Sequence, residues 1–112
     1  MKQVKIVATP PGEAPKRIRD AWIGVVLPIK GDRPNKRLGY GVKSGLTIWF
    51  VIKVFLGWVK PIQGYSVDAA KAVDILSQTA PDAAQWWRKN ASNALEPGML
   101  LIFNQEVCQE VD

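Results

Sequence analysis

Apolar and polar residues alternate at the two ends of the chain. Val4, Ile6 and Ala8 occupy every second position within residues 2–8, and residues 106–112 alternate in the same way. A period of two places the apolar side chains on one face of an extended chain and the polar ones on the other. Both segments are therefore predicted to be half-buried strands.

Three inner segments are apolar on both faces over most of their length. They span residues 21–29, 46–56 and 99–103. In residues 46–56 the β-branched and aromatic residues favour a strand over a helix, and the apolar residues on both faces of 46–56 and 99–103 indicate strands covered on both sides. In residues 21–29 one face consists of Ala21, Ile23, Val25, Leu27 and Ile29, and Trp22 lies on the other. Pro28 is expected to place the end of the first of these strands at a sheet edge or a bulge, because proline cannot donate a ladder hydrogen bond. Residues 46–56 are the predicted central strand.

The period changes to that of a helix between residues 66 and 78. Apolar residues recur there at i, i+3, i+4 and i+7, at Ala69, Ala72, Val73 and Leu76. This spacing forms one apolar stripe on an amphipathic helix. The segment is predicted to pack this stripe against the sheet.

A second helix is predicted for residues 80–89. Thr79 is suited to cap its N-terminus, and Pro81 fits its first turn. Arg88 and Lys89 fall near its C-terminus, where the helix dipole favours cations. Its predicted apolar stripe consists of Ala80, Ala83, Ala84 and Trp87.

The order of these segments predicts an α+β fold. We expect one small, curled, mostly antiparallel sheet of about five strands, with two short helices inserted between strands 3 and 4 at about residues 66–90. The helices are expected to shield one face of the sheet, and curling toward a partly open barrel can close the other face. A length of 112 residues fits a single domain, residues 1–112.

A long basic, glycine-rich loop is predicted at about residues 30–45. It holds four glycines and five Lys or Arg residues against one acid, Asp32. Connections of this length are often functional, but a solvated loop with glycines for its turns is the alternative interpretation. The loop does not match a Walker A motif, because Val42 stands where glycine would precede Lys43, and a strand rather than a helix is predicted to follow.

The charge is divided unevenly along the chain. The net charge is +5, but residues 1–60 carry 12 Lys and Arg against 3 Asp and Glu, while residues 61–112 carry 3 against 7. Such asymmetry indicates either a basic face for an anionic partner or two halves that neutralise each other in the folded state. The sequence leaves both interpretations open.

Composition excludes several kinds of chemistry. The chain has no histidine, so imidazole acid–base catalysis, Ser-His-Asp triads and histidine-ligated metals are ruled out. The single cysteine, Cys108, cannot close an intramolecular disulfide or form a thiolate zinc site. On a strand it would share a face with Glu106 and Glu110, whose charges disfavour the thiolate, so an inert thiol is expected. No cofactor, metal ligand or catalytic residue is predicted.

The same features bear on the expected compartment. No secretory signal is apparent in residues 1–8, and one cysteine gives no sign of an oxidising environment. The apolar run at residues 46–59 contains Lys53 and is shorter than the roughly 20 residues that a membrane span needs. We therefore expect a cytoplasmic protein that does not enter the membrane.

The leading functional hypothesis is a small, non-catalytic binding or accessory module whose basic surface engages an anionic macromolecule, either nucleic acid or an acidic protein. A platform for stacked bases usually needs more aromatic residues than the single Tyr40 in the basic loop. The candidate binding residues are Lys16, Arg17, Arg19, Arg33, Lys36, Arg37, Tyr40 and Lys43.

The alternative hypothesis is a protein-interaction or assembly module, including a homo-oligomer, that uses exposed tryptophans. Its candidate residues are Trp22 and Trp86. Trp86 and Trp87 are adjacent and lie about 100° apart on a helix, so Trp87 is expected in the core and Trp86 at the margin, partly buried. A third hypothesis, a small enzyme without histidine chemistry, has no supporting pair of carboxylates in the sequence.

Overall fold

The computed structural model describes residues 2–10, 14–37 and 62–111. These residues form an α+β fold with antiparallel strands in two small sheets. The elements, in chain order, are β1 (Gln3–Ile6), α1 (Lys16–Asp20), β2 (Val26–Pro28), β3 (Lys30–Arg37), β4 (Ile62–Asp68), α2 (Ala69–Leu76), α3 (Pro81–Asn90), a 3-10 helix (Ser92–Leu95), β5 (Leu100–Asn104), another 3-10 helix (Gln105–Val107) and β6 (Cys108–Val111).

The first sheet has the strand order β2-β1-β6, and the second has the order β3-β4-β5. All neighbouring strands within them are antiparallel. Ile29 alone separates β2 from β3, so the chain passes directly from one sheet to the other there. The 3-10 helix Gln105–Val107 makes the second such passage, from β5 to β6. The expected single curled sheet is therefore divided, and the described strands form no closed barrel.

The two sheets and the helices share one hydrophobic core. Val4 and Ile6 of β1 are fully buried, as the alternating pattern predicts. The apolar stripe predicted for the first helix is buried as well, although α2 begins only at Ala69 because β4 continues to Asp68. The buried core residues of the helices are Ile18 of α1, Ala69, Ala72, Val73 and Leu76 of α2, and Ala83 and Ala84 of α3.

The predicted strand at residues 21–29 is shorter in the structure. Residues 21–24 form a turn after α1, and Gly24 has a φ of +89°, a left-handed conformation that favours glycine and interrupts an extended chain. The Gly24 amide donates a hydrogen bond of 2.7 Å to the carbonyl of Ile6. Only the C-terminal part follows the predicted alternation, with Leu27 buried and Val26 exposed.

Two further boundaries differ from the sequence prediction. The segment predicted as the start of the basic loop is β3, which pairs with β4 through an irregular register between Lys30 and Asn35. Ile62–Asp68 is a strand, although its last three residues, 66–68, were predicted to begin the first helix. Pairing of Ser66, Val67 and Asp68 with β5 keeps these residues extended.

The α3 helix agrees closely with the predicted span, but its cap does not. Ala80 rather than Thr79 is the N-cap residue, and it contributes no side-chain hydrogen bond. Pro81 occupies the start of the helix as expected. The central strand predicted at residues 46–56 lies outside the described residues, so that strand and the predicted number of strands stay predictions.

Candidate functional site

All six candidate cations before residue 38 lie in two elements. Lys16, Arg17 and Arg19 lie on α1. The structure gives the backbone of Arg33, Lys36 and Arg37, which lies in β3. Tyr40 and Lys43 lie outside the described residues.

The three cations of α1 have different surroundings. Lys16 forms an ion pair with Asp20, with 2.9 Å between Nζ and Oδ2. Arg19 donates hydrogen bonds from Nε to the carbonyl of Ala14 at 2.8 Å and from Nη1 to the carbonyl of Pro10 at 3.2 Å. Arg19 therefore holds Pro10 and Ala14, which precede α1, against this helix, whereas the Lys16 ion pair lies within α1. Arg17 is exposed and forms no ion pair or hydrogen bond with any described residue.

Asp20 is the acidic centre of these local contacts. The Thr9 hydroxyl donates a hydrogen bond to its carboxylate, and Lys16 contacts the other carboxylate oxygen. The Thr9 hydrogen bond, followed by that from Lys16, lowers the pKa of Asp20 from its ordinary value of 3.8. Part of the basic charge of α1 is thereby neutralised within the helix itself.

Arg17 lines an open groove of about 240 Å³ between α1 and α3. The α3 residues of the groove are spaced at i, i+3, i+4 and i+7, so they share one face of that helix. They are Asp82, Gln85, Trp86 and Lys89, and Asn90 follows them. Lys89, like Arg17, is exposed and has no ion pair or hydrogen bond within the described part of the chain.

The remaining contacts of α3 fix the groove's geometry. Arg88 turns away to Asp74 of α2, with 2.7 Å between Nη2 and Oδ1. Asn90 donates from Nδ2 to the carbonyl of Trp86 at 3.0 Å. The groove thus has two cations without an acidic partner in the described ranges and one acid, Asp82, about 10 Å from Lys89 along the helix axis.

Trp86 is partly buried, as expected, and belongs to a row of aromatic rings that reaches the core. Its ring centroid lies 5.6 Å from that of Trp87, which lies 6.0 Å from Trp22. Trp22 in turn lies 5.2 Å from Phe103 of β5. All three contacts are edge-to-face, a favoured arrangement for aromatic pairs. The partly buried ring of Trp86 therefore packs on rings that extend into the core.

The prediction that Trp22 is an exposed interaction residue is wrong. Its exposed fraction is 1 %, whereas its neighbour Ile23 is 47 % exposed. The turn after α1 reverses the faces that a continuous strand would have presented, so Trp22 points into the core. Trp86 is the remaining candidate of the two.

Cys108 lies on β6 and is half-buried. Burial raises the pKa of its thiol to about 12, so the thiolate is disfavoured at neutral pH. The direction agrees with the expected inert thiol, but desolvation is the cause rather than the neighbouring glutamates. Glu106 lies in the 3-10 helix before β6 and does not share the strand with Cys108.

The uneven charge is only slightly compensated across the two halves of the chain in the described region. Lys2 and Glu110 join the halves, with 3.8 Å between Nζ and Oε1, and both side chains are half-exposed. The other two ion pairs given above lie within one half each. Surface pairs of this kind contribute about 0–1 kcal/mol to stability.

The described residues give no indication of a metal site or a membrane-spanning helix, and known proteins offer no comparison for the groove. Within the described ranges, no group of His, Cys, Asp and Glu residues is arranged to hold a metal ion. Among those same residues, no helix combines the length and apolar character needed to cross a bilayer. No protein-family model, no curated protein and no solved structure matches this chain.

Proposed function

We propose that this protein is a small, non-catalytic binding module that engages an anionic macromolecule through a basic surface. The observation that carries the proposal is the groove between α1 and α3, where Arg17 and Lys89 have no acidic partner among the described residues. Two cations of one groove that form no ion pair with a carboxylate of the described residues favour an anion from outside. Lys89 is an additional candidate for the binding cations. The cations predicted from the sequence included Arg17 but none from α3.

The size and openness of the groove support a large partner. Pockets for small-molecule ligands usually enclose about 300–1,000 Å³ and bury most of the ligand. A groove of about 240 Å³ is smaller and lies open to solvent. It is better suited to one segment of a polymer that continues beyond the groove. Arg33, Lys36, Arg37, Tyr40 and Lys43 stay predicted contacts on sequence grounds.

Charge-reversal variants test this proposal. Labelled polyanions, a single-stranded oligonucleotide and a polyglutamate peptide, are titrated with the protein at several salt concentrations by fluorescence anisotropy. We expect salt-sensitive binding of at least one polyanion, and a loss of affinity in the Arg17→Glu/Lys89→Glu double variant. The matched control is Lys5→Glu/Lys71→Glu, which changes the net charge equally at exposed positions that do not line the groove.

Two results would refute the proposal. If the protein binds neither polyanion at low salt, the proposed function is refuted. If the groove variant and the control variant lose affinity equally, the groove is not the binding site. Circular dichroism and thermal unfolding of each variant verify that it is folded.

The partly exposed Trp86 favours a second candidate function, a protein-interaction or assembly module. This alternative predicts a change in oligomeric mass when Trp86→Ala is compared with the unmodified protein by sedimentation. An unchanged mass together with unchanged capture of partner proteins would argue against it. Catalysis without histidine has no observation in its favour in the described residues, so it is not proposed.

A further inference from the structure

The groove combines a flat aromatic ring with unpaired cations. Trp86 lies between Lys89 and Gln85 on the same face of α3, and Arg17 completes the lining from α1. The carboxylates of an acidic peptide could bind the two cations, but acidic residues have no flat ring that could stack on Trp86. A single-stranded nucleic acid presents both a phosphate and an unpaired base in every repeating unit.

From this combination we infer that the groove binds single-stranded nucleic acid, with one base stacked on Trp86 and the flanking phosphates at Arg17 and Lys89. The inference rests on the proposed function and narrows its partner from polyanions in general to one class.

The packing of Trp86 suits it to stacking. Trp87 meets it at an interplanar angle of 82°, so this aromatic neighbour covers at most one face of the Trp86 ring. Behind Trp87, the ring of Trp22 is buried in the core. A ring held in place before binding loses little conformational freedom when a base stacks on it.

The polar residues of the groove give the bound unit a direction. Asp82 lies near the N-terminus of α3 and repels phosphate, whereas Lys89 lies near its C-terminus, about 10 Å away along the axis. Gln85 lies between them and carries an amide that can both donate and accept hydrogen bonds. The phosphate is therefore placed at the Lys89 end, and the edge of the base points toward Gln85 and Asp82, whose carboxylate can accept a hydrogen bond from an N–H group of the base.

The experiment uses oligodeoxythymidine and oligouridine 15-mers as probes, with a DNA duplex of the same length and a polyglutamate peptide as comparisons. Trp86→Leu keeps an apolar side chain against Trp87 but removes the aromatic face, and Trp86→Phe restores an aromatic face. We expect Trp86→Leu to lower affinity for the single strands by roughly 5- to 150-fold, which is the loss of one stacked base. Trp86→Phe should recover most of that loss.

The salt dependence tests the cations separately. Each phosphate contact to a single strand contributes about 0.7 to the slope of log affinity against log salt. Replacing Arg17 and Lys89 by glutamine should therefore reduce the slope by about 1.4, while the control Lys71→Gln leaves it nearly unchanged. Trp86→Leu should lower affinity without changing the slope, because it removes no charge.

The possible outcomes separate the inference from the proposed function. Tighter binding of duplex or polyglutamate than of the single strands, still dependent on Arg17 and Lys89, overturns the inference and leaves the function intact. Equal affinities of Trp86→Leu and the unmodified protein for the single strands also overturn it. Failure of every polyanion to bind removes both.

Discussion

Replacing Trp22 by alanine should be among the most destabilising substitutions in this chain. Trp22 follows α1 directly, is only 1 % exposed, and contacts the rings of Trp87 and Phe103 edge-to-face. It therefore joins the helical part of the core to β5. Removing its side chain leaves a large cavity between these elements, and a rigid core collapses only partly around such a cavity.

The magnitude follows from the burial. An aromatic side chain buries about 150–250 Å², which at about 25 cal/mol per Å² corresponds to about 4–6 kcal/mol of transfer free energy. Alanine retains part of that burial, and measured losses for buried Trp or Phe replaced by Ala are about 3–5 kcal/mol. We expect a loss of this size in the free energy of unfolding for Trp22→Ala, a large part of the about 5–15 kcal/mol that holds a typical domain folded.

Urea unfolding followed by far-ultraviolet circular dichroism measures the change. The matched control is Trp86→Ala, the same deletion at a partly buried member of the same row of rings, for which we expect a loss below about 2 kcal/mol. Trp22→Phe keeps a ring in the core and remains measurable if the alanine variant does not fold. A loss for Trp22→Ala no greater than that for Trp86→Ala would refute the placement of Trp22 at the centre of the core.

Two further predictions concern the strands and the link between α1 and the chain's first segment. A Cβ at Gly64 would lie 2.8 Å from the carbonyl carbon of Phe103 and closer still to its oxygen, so Gly64→Ala should lower the free energy of unfolding by at least about 1–3 kcal/mol. The control is Gly98→Ala, whose Cβ would meet no atom within 4 Å but whose φ is +85°, so its free energy of unfolding should fall by only about 1–2 kcal/mol. No change in the free energy of unfolding for Gly64→Ala, measured by urea unfolding, would contradict the close approach of Gly64 to Phe103. Thr9→Val should raise the pKa of Asp20 toward 3.8 in an NMR pH titration, because it removes the hydrogen bond that lowers it most, whereas Thr9→Ser should keep it low. A lowered carboxyl pKa stabilises the folded state above pH 3.8, and this contribution is lost as the pH falls through the pKa of Asp20 in the folded state. The two variants should therefore differ in stability at neutral pH and converge in strong acid. Equal pKa values of Asp20 in the two variants would contradict the role of Thr9.

Hydrophobic periodicity was sufficient where burial depends on one helix or strand alone. The four residues of the apolar stripe predicted for α2 and the alternating Val4 and Ile6 of β1 are buried as their spacing predicts. The α3 helix was also recognisable, because Pro81 and the alanines favour a helix without help from distant residues. The α+β class follows from the order of such locally encoded segments.

Long-range pairing decided the elements that the sequence pattern missed. β4 contains Gly64 and Ser66, whose propensities do not favour a strand, and its extended form depends on hydrogen bonds to β3 and β5. The same applies to Trp22: its position after a helix and before Gly24 turns the ring inward, although a continuous strand would have turned it outward.

The candidate site, too, was predictable from the sequence only in part. The sequence by itself determined that the chain has an excess of cations, no histidine, and a tryptophan at the margin of a helix. Only the tertiary structure decided which cations remain without a partner, by pairing Lys16 with Asp20 and Arg88 with Asp74 and by bringing Arg17 beside Trp86 and Lys89. The physical reason is that charge and periodicity are properties of the chain, whereas an ion pair or a groove exists only where distant residues meet.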